Sequence, residues 1–195
     1  MTESLFTELQ AAAFREGLNP RTKKARRWFQ DKAQNLGKLN KLDVISDKRL
    51  SQQDRPAPGK MMMFFYNPKT KDSLPYYDTF PLILFVDFAP GGYYGLNMHY
   101  LPPSHRAKLF DKLLETKNNS KYDESTKLNL SYNLLKTTAK YSAFRPAFKR
   151  YLTGYVKSKM VIVDAPEWPI ALFLPTESFK KAGTSTVWSD SRKMI

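Results

Sequence analysis

Apolar positions recur at helical spacing over residues 3–16, where Leu5, Leu9, Ala12 and Ala13 share one face and Gly17 supplies a stop. Asn19-Pro20 predicts a second helix start, with Asn as N-cap and Pro at the first helical position. That helix runs to about Gly37 and places Ala25, Trp28, Phe29, Ala33 and Leu36 on one stripe. Residues 38–59 lose the period, and Arg55-Pro56-Ala57-Pro58-Gly59 reads as an extended linker. From Met61 the pattern changes to short apolar runs of strand length. Met61 to Tyr66 ends at Asn67-Pro68, and Leu82 to Phe88 ends at Ala89-Pro90-Gly91-Gly92, a hairpin-type turn that needs the positive φ of glycine. Tyr93 to Leu101 returns as a third strand. Beyond Pro102-Pro103, Ser104 caps a helix with Ala107, Phe110 and Leu114 on one face. A longer helix is expected over about 124–140, with Leu128, Tyr132, Leu135 and Ala139 as its apolar face, and Pro146 opens another to about Val156. Met160 to Val163 and Ile170 to Leu174 read as further strands, and Val187-Trp188 as a last strand or an anchor.

Five short strands interrupted by helices predict an α+β fold, a small SH3-like β-barrel with a helical insertion at about 104–157 and an N-terminal helical extension. The corresponding division is a basic helical extension and linker over 1–59, then a barrel domain over 60–195.

Charge changes this picture. Lysine and arginine total 32 against 18 acids, a net charge of +14, and the surplus is uneven. Residues 21–60 hold 12 basic and 4 acidic side chains, and residues 104–160 hold 13 and 4, whereas residues 61–103 hold 2 and 3. A nearly neutral β core therefore carries two basic, mostly helical stretches. Such a surplus predicts a polyanionic partner, nucleic acid before membrane. No apolar run approaches the roughly 20 residues of a membrane span, and MTESLFTELQ has no signal-peptide core. A soluble, intracellular or virion-borne protein is expected.

The first candidate stretch is 136–159, which holds Lys136, Lys140, Arg145, Lys149, Arg150, Lys157 and Lys159 and no acid. Tyr141, Phe144, Phe148, Tyr151 and Tyr155 are interleaved with them. Cations hold phosphates and aromatic faces stack on unpaired bases, so the mixture suits a nucleic-acid end or single strand. The near-helical spacing of the aromatics equally suits a buried face, with only the cations in solvent. The second is Arg21, Lys23, Lys24, Arg26, Arg27 and Lys32 around Trp28-Phe29, a basic amphipathic helix that suits a phosphate backbone, a partner, or an ordinary solvated face. The third is Leu74-Pro75-Tyr76-Tyr77-Asp78 together with Gly91 to Tyr100. Tyrosines beside glycine-rich turns suit either a binding rim or a barrel rim whose hydroxyls meet water, and we read them as structural.

Catalytic constellations are mostly missing. There is no cysteine, which removes disulfides, thiolate zinc sites and cysteine nucleophiles together. His99 and His105 are six apart, a spacing that suits no common metal motif, and His99 reads as a hydrogen-bonded structural residue. No phosphate-binding glycine loop, dinucleotide fingerprint or GxSxG elbow occurs. Asp72, Asp78, Asp87 and Asp123-Glu124 are the only acids available for a magnesium site, and their spacing does not suggest convergence. The expectation is a non-enzymatic protein without cofactor or metal.

The strings MMMFFYNPKTKDSLPYYDTFPLILFVD, GGYYGLNMHYLPPSHRAKLFDKLLE and FRPAFKRYLTGYVKSKMVIVDAPEWPIALFLP resemble the DNA end protector family of T-even-like tailed phages, over about Thr22 to Ile195. The resemblance implies a virion protein, present in the host cytoplasm during assembly, that binds the terminus of the packaged genome and shields it from exonuclease. It transfers no site residues. Binding through the two basic faces should be largely electrostatic and sequence-tolerant. The competing reading is a structural assembly protein of the phage head, neck or baseplate whose basic surface meets protein partners.

Overall fold

The computed structural model describes residues 5–19, 22–36, 39–48, 50–56, 59–117, 121, 133, 142–164 and 167–194. Helix α1 (Leu5–Arg15) ends where Gly17 takes φ +66° and the Leu18 N–H returns to the Ala13 carbonyl at 3.0 Å. Helix α2 (Lys23–Gln34) starts three residues later than Asn19-Pro20 predicts. Its cap is Thr22, whose Oγ1 accepts from the Ala25 N–H at 3.1 Å and donates to the Asn19 carbonyl at 2.8 Å. Ala25, Phe29 and Ala33 are buried along one stripe of α2, as the spacing requires. A short α3 (Lys41–Ser46), capped by Asn40, occupies the region where the sequence loses its period.

The centre is an antiparallel six-stranded sheet in the order β1-β7-β2-β4-β5-β6. Its strands are β1 (Gln52–Gln53), β2 (Met61–Met63), β4 (Leu82–Ala89), β5 (Gly92–Asn97), β6 (Phe148–Leu152) and β7 (Met160–Val163), while β3 (Tyr77–Asp78) and β8 (Phe179–Lys180) form a separate pair. The apolar runs are continuous rather than alternating because both sheet faces are covered. Met61, Met63, Leu82, Leu84, Val161 and Val163 point into a core shared with Phe29, Phe110 and Trp168, whereas Met62, Phe64, Ile83, Phe85, Tyr93 and Tyr151 form a second cluster. The β4–β5 hairpin turns at Gly91 with φ +70°. At Gly92 a Cβ would stand 1.9 Å from the Tyr151 carbonyl oxygen, so only glycine lets β6 pair this closely with β5.

The mixed helix-and-sheet class holds, but the strand ladder is open among the described residues. After β6 the chain makes a 3₁₀ turn (Thr153–Tyr155) and meets the end of β2 through one bridge, Tyr66 to Val156, and the bonds Lys157 N–H to Phe65 O at 2.8 Å and Asn67 N–H to Tyr155 O at 3.0 Å. Those contacts tie the segment after β6 to the end of the interior strand β2, not to the other edge β1, so the closed SH3-like barrel expected from sequence does not form among the described residues.

Four local expectations change. The run expected as strand Ile170–Leu174 begins in helix α5 (Trp168–Ala171), where Pro169 stands at a helix start and the Trp168 indole donates to the Val163 carbonyl at 2.9 Å. Val187-Trp188 lies in helix α6 (Thr184–Lys193), with Val187 and Ser191 on its buried face. Pro146 sits in a 3₁₀ turn (Ser142–Ala147), and the chain then enters β6 because the edge of β5 offers a ladder that outweighs local helix preference. The third strand stops at Asn97, which caps a 3₁₀ turn (Met98–Tyr100). Helix α4 (Pro103–Lys117) follows as expected. The helix expected over 124–140 lies outside the described residues apart from Asn133. Among the described residues no helix is long and apolar enough to cross a membrane.

Candidate nucleic-acid interface

The predicted cations do not all reach solvent as free charges. On α2, Lys23, Lys24 and Arg27 are exposed, and Lys32 is exposed with its ammonium 5.2 Å from the Trp28 ring centroid. Arg26 instead pairs with Asp111 of α4 and reaches the Ala107 carbonyl at 3.3 Å, so it ties two helices together. Phe29 is buried and Trp28 packs against the core, so neither is a free docking handle. Arg21, Lys136 and Lys140 lie outside the described residues.

The remaining cations of the second stretch gather along β6 and the segment behind it. Arg145, Arg150, Lys157 and Lys159 are exposed, and none forms a salt bridge among the described residues. The Arg150 guanidinium donates to the Pro90 carbonyl at 2.6 Å, beside the β4–β5 turn. Of the interleaved aromatics, Phe144 and Tyr151 are buried, and Phe148 and Tyr155 are half-buried. Phe148 stacks on Tyr94 with centroids 5.1 Å apart. The cations therefore form the outer layer over an aromatic core, and Tyr141 lies outside the described residues.

Lys149 differs from its neighbours. In register with Gly95, it shares the β6 face of Tyr151 rather than the face of Phe148 and Arg150. Its ammonium stands 4.1 Å from the centroid of the Tyr100 ring. It has no carboxylate partner among the described residues, and burial alone pushes its pKa down to about 8.

This lysine opens into a cavity of about 640 Å³ between β6 and the turn leading into β3. One side is lined by Phe148, Lys149, Arg150 and Leu152. The other is Pro68, Lys69, Thr70 and Leu74 to Tyr77, and Asp78, Asn97, Tyr100 and Tyr151 make the floor. The tyrosine-rich stretch that we read as structural thus supplies both structure and lining. Tyr76 and Tyr100 lie 6.0 Å apart, and Phe179 packs edge-on to both. Lys69, which sits in the nearly neutral part of the sequence, is brought here only by the fold. A second cavity of about 360 Å³, between α1 and α2, has no charged side chain in its lining, so it offers phosphate no counter-charge.

The floor is held by a buried polar network. Asp78 accepts from the Phe80 N–H at 3.0 Å, from the Asn97 amide at 3.1 Å, and pairs with His99 Nδ1 at 2.7 Å. His99 Nε2 meets Thr176 Oγ1 at 3.1 Å, and the Asn97 amide also donates to the Tyr151 hydroxyl at 3.1 Å. The order Asp78, His99, Thr176 has the geometry of a nucleophile relay, but all three are buried, which makes it a scaffold. His99 is therefore the structural residue expected from sequence. Burial pushes the Asp78 carboxyl up, but the charge of His99 and the three donors outweigh it and hold it below its ordinary value.

Beneath this floor lies Arg106, a buried cation with its own complete set of acceptors. It donates to the carbonyls of Leu101 at 2.8 Å and Leu172 at 2.9 Å, and to Glu177 Oε1 at 2.5 Å. Trp188 covers the guanidinium at 5.4 Å and donates its indole N–H to the His99 carbonyl at 2.8 Å. No three-member group of histidine and acidic side chains that could hold a metal occurs among the described residues. Of the three acids of the neutral stretch, Asp78 is consumed by this network and Asp72 is exposed.

No curated protein and no solved structure matches the chain significantly. A family model does: the one described as phage T4 terminal DNA protecting protein matches residues 2–191, and the chain, with its acid-free basic wall, belongs to that family.

Proposed function

We propose that the chain protects the terminus of a linear phage genome by binding it, with Arg145, Lys149, Arg150, Lys157 and Lys159 as the principal phosphate-facing cations. The protein acts in the virion, and in the host cytoplasm during assembly, as a shield rather than as an enzyme. The observation that carries this reading is the exposed wall at β6. Among the described residues its cations have no acidic partners, whereas Arg26 and Arg106, equally basic in sequence, are used up inside the fold. A cation already paired has little to gain from a phosphate, because it would exchange one charge-assisted bond for another. Lys23, Lys24, Arg27 and Lys32 add a second exposed group on α2. Contacts of this kind position a duplex without reading its bases, which suits a protein that meets termini of any sequence.

The test leaves the cavity intact. Arg145, Lys157 and Lys159 are exposed, so changing all three to alanine removes charge without removing core. On linear duplex DNA the log–log salt slope of binding should shrink by about 0.9 per lost contact, about 2.7 in all. Protection of an end-labelled duplex from exonuclease should fall in parallel. A triple variant with wild-type slope and wild-type protection would remove the segments flanking β6 from the interface.

A further inference from the structure

We propose that the cavity beside Lys149 receives the terminal nucleotide of a frayed strand, with its 5′-phosphate on Lys149 and Lys69 and its base against Tyr76. The inference rests on the end-binding reading above and names what distinguishes an end from the rest of a duplex. A volume of about 640 Å³ lies within the roughly 300–1,000 Å³ of small-ligand sites. The lining combines aromatic faces with cations, the chemistry that holds an unpaired nucleotide. Asp78, buried in the floor, is paired with His99 Nδ1 at 2.7 Å and turns both its oxygens to buried donors, so its carboxylate is held within its own network rather than presented to a ligand.

Lys149 is the discriminating group. A partly buried ammonium without a carboxylate partner is unfavourable for the fold, and a phosphate is the ligand that would compensate it. An internal phosphodiester carries one negative charge, whereas a terminal phosphate monoester, with a second pKa near about 6, carries nearly two at neutral pH. A poorly hydrated cation separates those two charges far better than a solvated surface lysine does, since the local dielectric is lower. The groups facing it are Tyr100, Tyr151 and Asp78 from the floor, with Lys69, Tyr76 and Tyr77 across the cavity and Arg150 beside it on β6.

The experiment titrates the full chain with single-stranded trithymidylate, with and without a 5′-phosphate, by calorimetry at low salt. The phosphorylated form should bind about tenfold tighter, the size of one charge-assisted contact. In Lys149→Met that difference should fall to about threefold or less, the share left to Lys69. Lys149→Met should melt no lower than wild type, because it removes a partly buried charge and keeps the apolar stem against Tyr100. Lys69→Ala, at an exposed position, should weaken the phosphorylated form about threefold and guards against an effect confined to one variant. Equal affinity for the two forms, or a folded Lys149→Met that keeps the full preference, would overturn the assignment. The probe has no duplex end, so the outcome is independent of whether linear DNA outcompetes circular DNA. Trithymidylate binding without end preference would support the cavity and remove the end reading, and end preference without trithymidylate binding would do the reverse.

Discussion

Replacing Arg106 with methionine is expected to lower stability by about 3–5 kcal/mol, read as an earlier midpoint in urea at unchanged slope. The guanidinium is 1% exposed and holds the carbonyls of Leu101 and Leu172 together with the carboxylate of Glu177. Methionine fills much of the same space but satisfies none of those acceptors, and it leaves Glu177 as an uncompensated charge whose side chain is 13% exposed. Burial pushes the Glu177 carboxyl up, but Arg106 holds it below the ordinary value, so the pair has most to lose near neutral pH. Adding Glu177→Gln to Arg106→Met should recover part of the loss, since the stranded charge goes with it. A single variant that loses less than about 1 kcal/mol would mean that Arg106 is not the organising cation beneath the site.

Asp78→Ala should cost about as much, roughly 3–5 kcal/mol, for a complementary reason. It removes an acceptor shared by three buried donors, the Phe80 N–H, the Asn97 amide and His99 Nδ1. Because the folded-state pKa lies below the ordinary 3.8, the contribution of the carboxylate is complete above that value and is lost as pH falls through it and below. The stability gap between wild type and Asp78→Ala should therefore narrow on acidification from about pH 6 toward about pH 3. A gap that stayed constant would show that the carboxyl titrates alike in the folded and unfolded states, and a gap that widened would show that it is protonated in the fold. The loss should extend to binding, because Asp78 and Asn97 are the floor on which the cavity stands.

Much of this fold was legible in the sequence because local pattern and tertiary need coincide. The runs at Met61, Leu82 and Tyr93 are strands flanked by turn residues, and α1, α2 and α4 follow the 3.6-residue apolar spacing. Phe148 to Leu152 was not legible. Its order of aromatic, two cations, aromatic and leucine fits a helix face as well as a strand, and the deciding partner is the distant edge of β5. Trp168 to Ala171 failed similarly, since a four-residue apolar turn carries no period.

The basic wall was readable for a physical reason: an acid-free run of this length must place cations in solvent. Net charge nevertheless overstated it. Arg26 and Arg106 carry the same formal charge as Arg145, and their contacts with Asp111 and Glu177, 85 and 71 residues away, take them out of the exposed basic surface. The cavity shows the limit from the other side. Tyr76, Tyr77 and Tyr100 were visible as a tyrosine-rich stretch, but nothing local places Lys149 above Tyr100. That juxtaposition follows from β6 pairing with β5 through the close approach at Gly92.

End binding is tested most directly by competition between two forms of one DNA. A labelled linear duplex held by the protein is challenged with the same sequence as unlabelled linear DNA or as covalently closed circles, at equal mass and moderate salt. Binding through a terminus predicts that linear competitor displaces the label at least tenfold more effectively than circles, because circles offer only the sequence-tolerant backbone contacts. Equal displacement by the two forms would contradict it and leave a general DNA-binding protein with no preference for ends.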